Sequence, residues 1–135
     1  MIQCKLFTTH LWPVDSAYDE SDEVAIVMAD INKVDAAMKC TLRYYVNELK
    51  IRLHTDYLEK GIFEAPLVHV RAGSIEWVEG YHQVSAAKNA GLEVIPVSTA
   101  KRMVSELKQL VGIDDPQRAA EKFNFMECSG VPVYY

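Results

Sequence analysis

The chain has 135 residues, 50% of them apolar and 24% charged, with six glycines and five prolines. That is a globular balance with material for one hydrophobic core, and it excludes a disordered or fibrous chain. The net charge of −5 is unevenly spread: residues 1–32 carry one lysine against six acids, 33–60 six bases against four acids, and 61–135 seven bases against nine acids, too little positive charge for a primary nucleic-acid binder.

In chain order, "CKLFTTHL" (Cys4 to Leu11) alternates loosely and predicts a first strand, and the acidic "DSAYDESDE" after it predicts a loop. "VAIVMADI" is a continuous apolar run of strand length, rich in valine and isoleucine, which predicts a buried strand. From about Asp35 the period becomes helical. Met38, Leu42, Tyr45, Val46, Leu49 and Leu53 recur at three- and four-residue steps, predicting an amphipathic helix with its apolar stripe on the core that either breaks near His54 or runs on to Lys60, with Gly61 as a natural stop. The charges from Lys39 to Arg52 then read as its solvated face.

Beyond Gly61, Pro66 stands before "LVHVR", and "RAGS" predicts a hairpin turn into "SIEWVE", with Ile75 and Trp77 on one face and Glu76 and Val78 on the other. After Gly80 comes a short helix, "HQVSAAKNA", capped by Gly91 and followed by the strand "LEVIPV". A helix is expected from about Thr99 to Val111, with Met103, Val104, Leu107, Leu110 and Val111 on its core side. "DDPQRAAEKFNF" offers a capping acid, a first-turn proline and another short helix, and "SGVPVYY" reads as extended. The expected fold class is α+β, a small mixed sheet packed by helices, in a single domain spanning residues 1–135.

Cys4, Cys40 and Cys128 are odd in number, far apart and without a CxxC pair, so they predict reduced thiols. His10, His54, His69 and His82 show no HxH or HxxxH spacing, and no structural metal is expected. No apolar run reaches the ~20 residues of a membrane span, and the start of the chain has an acidic interior, so the expected location is cytoplasmic, with no membrane partner.

The turn "EGYHQVSAAKNAGLEVIPV" concentrates the chemistry. A helix that begins just after Gly80 presents unpaired N–H groups and the positive end of its dipole, which together favour an anion. The bland reading of His82 is a helix cap or backbone partner, that of His69 a packed strand residue, and that of Trp12 and Trp77 core or rim aromatics. Glu79 is either an exposed turn residue or an acid able to bind magnesium or take a proton.

The segment from about Asp35 to Val97 resembles the core of the ParB/sulfiredoxin superfamily: a helix ending in a glycine, a strand, a hairpin, a "DGHHRxxAAxxxG"-type turn and helix, and a closing strand with "PV". Gly80, His82, Ala86, Ala87, Gly91, Leu92, Pro96 and Val97 stand at the pattern's positions. The resemblance implies a nucleotide or phosphate site in which Gly80 gives close approach, His82 donates to phosphate and the amides from Tyr81 through Gln83 to Val84 line the cradle. ATP or CTP with magnesium are the implied ligands, and Glu79 the candidate catalytic acid. Gln83 replaces the family's forked cation, which predicts weaker triphosphate affinity. Tyr81 replaces the reactive cysteine of sulfiredoxins, which argues against sulfinic-acid reduction.

Three functions follow from these residues. The first is nucleotide or phosphate binding, with or without weak nucleotide-dependent or nuclease activity, so that enzyme status stays open. The second is a non-catalytic module that kept the fold and binds a protein partner or a second copy. The third is a DNA-binding accessory protein of a partition or mobile-element system, which the charge distribution ranks last.

Overall fold

In the computed structural model, residues 1–9, 11, 21–118 and 122–135 are described. His10, Trp12, most of the acidic stretch and residues 119–121 lie outside them. The described residues form an α+β fold of two sheets and four helices.

The run Val24–Asp30 is strand β2, buried at every residue but the last, and it pairs antiparallel along its whole length with β6, Val94–Ala100, which is buried throughout. Continuous apolar runs of this kind suit strands covered on both faces. Strands β4 (Leu67–Arg71) and β5 (Ser74–Glu79) form the expected hairpin. Ala72 and Gly73 both adopt positive φ in its turn, 51° and 77°, the twist that a two-residue hairpin loop favours. The short β8 (Val133–Tyr134) completes a five-stranded sheet of order β5-β4-β6-β2-β8.

The second sheet is parallel, with β1 (Ile2–Leu6) between β3 (Ile62–Ala65) and β7 (Phe123–Asn124). Pro66 joins β3 to β4, and its carbonyl accepts from both the Ser98 amide at 2.7 Å and the Ser98 hydroxyl at 2.8 Å, which ties the junction of the two sheets to β6.

Asp30 ends β2 and caps helix α1 (Ile31–Lys39), its carboxylate accepting from the Asn32 and Lys33 amides. Ile31, Val34, Asp35 and Met38 form the buried stripe of α1. Asn47 caps α2 (Glu48–Glu59) in the same way. Helix α3 (Tyr81–Asn89) follows Gly80, and Gly91 closes it at φ 82°. Helix α4 (Val104–Val111) completes the set.

The helix expected from about Asp35 is two helices separated by residues 40–47, and the second runs without a break at His54 to Glu59. Thr41, Tyr44, Tyr45, Val46 and Asn47 are weak helix formers, and α3 holds this segment through ring contacts and a hydrogen bond. Of the expected apolar stripe, Met38 is buried, while Leu42 is 103%, Val46 53%, Leu49 73% and Leu53 45% exposed. Two further expectations shift. Thr99 belongs to β6, opposite Ala25, so that α4 starts only after a 3-10 turn at Lys101–Met103. Leu110 is exposed rather than on the core side. Pro116–Arg118 forms a 3-10 turn, with Asp115 accepting from the Gln117 amide as the sequence suggests.

Candidate functional site

Gly80 sits between β5 and α3 at φ 137°, and a Cβ placed on it would lie 2.4 Å from Pro66 Cβ and 2.7 Å from Pro66 Cα. Glycine is required there twice, by conformation and by the approach of the proline. The turn is therefore packed against the sheet junction, and what faces outward is decided by the residues that follow.

Tyr81, the first residue of α3, is half-buried among aromatic rings. Its centroid lies 5.5 Å from Tyr44 and 6.0 Å from Tyr45, both edge-on, and 5.4 Å from Trp77. His82 is buried, and its Nε2 accepts the Asn47 N–H at 3.1 Å beneath the Tyr45 ring. That nitrogen carries a lone pair, so in the neutral ring the donor is Nδ1–H. Gln83 is fully buried. Its Nε2 donates to Glu64 Oε1 at 3.1 Å, while its Oε1 has no partner among the described residues. The side chains of His82 and Gln83 thus engage the protein's own loop and strand.

The flank of α3 that meets α2 is polar. Burial, and then the charge of Glu79, push the Glu64 carboxyl up against the pull of the Gln83 hydrogen bond. Burial holds His82 below its ordinary value, with Lys50 helping and Glu79 opposing. Burial lowers His54 too, where Glu79 again pulls the other way. Glu79 is thus the common charge felt by a carboxyl and two imidazoles. Among the described residues no group of three or more His, Cys, Asp or Glu side chains could hold a metal ion.

A cavity of about 550 Å³ opens between residues 41–43 and the β4–β5 hairpin, and Tyr81 lines it. Arg43, Arg71 and Trp77 line it as well. Burial pushes the Tyr81 phenol up and the charge of Arg43, which lines the same cavity, draws it down. His69 is buried at the same wall, its Nε2 2.6 Å from Glu76 Oε2, with Arg71 Nε 3.7 Å from the other carboxylate oxygen. The indole N–H of Trp77 is buried without a hydrogen-bond partner among the described residues. A second cavity of about 510 Å³, largely apolar, shares Thr41, Leu42 and Ile75 with the first.

The sequence pointed to Gly80 and the start of α3, but the groove's cations lay hidden. Arg43 reads as helix surface until the break at residues 40–47 places it on the wall of the cavity that Tyr81 also lines. Arg71 and His69 sit two apart in a strand, a spacing that places them on one face but does not say that the face borders a cavity. No family model, curated protein or solved structure matches the chain.

Proposed function

We propose that the protein binds a nucleotide, or a similar phosphate-bearing ligand with a flat ring, in the groove beside the start of α3. The observation that carries this reading is the convergence of Trp77, Tyr81, Arg43 and Arg71 on one cavity that ends at the first residue of a nine-residue helix. Aromatic faces stack bases without regard to sequence, and guanidinium groups pair with phosphate oxygens. Helix N-terminal amides add to the attraction for anions. The resemblance of the Gly80 turn to ParB-type nucleotide sites points the same way. Here the phosphate cations are Arg43 and Arg71, a substitute for the arginine whose place Gln83 takes.

Magnesium carried by nucleotide phosphates needs only one or two carboxylates from a protein. Glu79, with Glu64 close enough to feel its charge, fits that demand. In this reading Glu79 is the acid that contacts the metal or takes a proton, and the E79Q variant loses any metal-dependent turnover that the wild type shows.

Isothermal titration with ATP and CTP, each with magnesium, tests the proposal, with tripolyphosphate as the ring-free control. Saturable binding is expected for a nucleotide and weaker binding for tripolyphosphate. R43A and W77A should each weaken binding by about tenfold, or about 1.4 kcal/mol. Flat titrations with both nucleotides overturn it.

The exposed leucines favour a second reading, a protein-interaction surface on α2. Leu49 and Leu53 stand four apart on its outer face, and exposed apolar residues in such a cluster mark contact surfaces. Sedimentation of the wild type against L49E, across a concentration series, tests whether this face pairs two copies.

A further inference from the structure

Cys4 lies in the middle of β1, paired with Phe63 and without solvent exposure. Cys128 ends the 3-10 turn Met126–Cys128, close to the far end of the chain, and is also buried. The Cys128 thiol donates to the Cys4 carbonyl oxygen at 3.2 Å, across 124 positions of sequence, and the Cys4 thiol lies 3.9 Å from the Lys5 carbonyl oxygen. The Cys128 sulfur therefore lies against Cys4 itself, at the backbone of β1. The third cysteine, Cys40, is exposed at the end of α1.

We propose that Cys4 and Cys128 form an oxidisable pair that closes to an intramolecular disulfide when the protein meets a peroxide. The bond links the parallel sheet, through β1, to the segment that leads into β8 of the larger sheet. The chemistry balances in two steps. The Cys128 thiolate attacks a peroxide oxygen; the S–O bond forms, the O–O bond breaks and hydroxide leaves, giving a sulfenic acid. The Cys4 sulfur then attacks the sulfenic sulfur, the S–S bond forms, the S–O bond breaks, and the departing hydroxide takes up the Cys4 proton as water. Two thiols and one hydrogen peroxide become one disulfide and two waters.

The order follows from the surroundings. Cys128 is 3% exposed and Cys4 not at all, so a peroxide meets Cys128 first, while the contact with Cys128 and burial push the Cys4 thiol up. The thiolate is the nucleophile, so the first oxidation falls to Cys128 and resolution to Cys4. Sequence spacing could not reveal this pair, because only the pairing of β1 with its neighbours brings the two ends of the chain together.

The test is treatment of the reduced, full-length protein with a modest excess of hydrogen peroxide, followed by non-reducing peptide mapping. The expected result is a Cys4–Cys128 linked peptide, a loss of two hydrogens from the intact mass, and a melting temperature raised by several degrees that dithiothreitol restores. Closing so long a loop restricts the unfolded chain, which accounts for the rise. C40A should leave all three readouts unchanged, while C4A and C128A should abolish the linked peptide. Mapping on the wild type alone decides the matter if either buried variant folds poorly. Oxidation that stops at sulfinic acid on Cys128, cross-links through Cys40 only, or thiols left unmodified while Cys40 is oxidised would overturn the proposal.

Discussion

Gly80 answers to both conformation and space, and a substitution there tests both at once. In G80A the new methyl group meets Pro66 at 2.4 Å with φ at 137°. Urea denaturation should show a loss on the order of 2–4 kcal/mol. Gly91 also has positive φ but nothing within 4 Å of a built Cβ, so G91N should cost less than about 1 kcal/mol. Equal losses in the two variants would mean that φ alone, without Pro66, explains Gly80. His82 makes a different demand, because its lone pair receives the Asn47 N–H and protonation removes that acceptor. Burial first, then Lys50, hold its folded value below that of the unfolded chain. The stability it supports is therefore present above about pH 6.5, the ordinary imidazole value, and is lost as the pH falls below it. His54, also lowered by burial, adds in the same direction. Thermal melts from pH 8 to pH 5 should show a shallower decline in H82Q than in the wild type, and identical slopes would remove His82 from the account.

At the scale of elements, α1 and α3 are clasped by one buried carboxylate. Lys88 Nζ lies 2.6 Å and Lys39 Nζ 2.9 Å from Asp35 Oδ2. Burial works to raise the Asp35 carboxyl, but the hydrogen bonds and charges of Lys88 and Lys39 outweigh it and hold it below its ordinary value. The contribution is present above about pH 3.9, the unfolded value, and is lost as the pH falls through the folded one. K88A should cost about 1 kcal/mol at pH 7, and the gap to wild type should close in chemical denaturation below pH 4. The break between α1 and α2 belongs to this scale as well. Period alone runs unbroken from Met38 to Leu53, yet Asn47 starts a new helix because His82 takes its amide and Tyr81 takes the rings of Tyr44 and Tyr45. The competing principle was tertiary contact over propensity, acting on a stretch with little helical preference of its own.

For the whole molecule the consequence is that apolar pattern and apolar core part company. L49S and L53S should each change stability by less than about 0.5 kcal/mol, whereas M38A, at a fully buried position, should cost about 2–5 kcal/mol. Large losses at Leu49 would mean that α2 is covered in solution. The sequence by itself determined the strand β2, the first part of β6, the hairpin turn at Gly73 and the limits of α3 between two glycines, because runs of valine and isoleucine and glycines free to take positive φ act locally. It also marked the start of α3 as the place to look. Only the tertiary structure decided that Arg43 joins Arg71 and Trp77 around one cavity, that Cys128 reaches Cys4, and that a helical stripe faces water at every residue but Met38. Periodicity states which residues share a face, but what covers that face is set by contacts between distant parts of the chain.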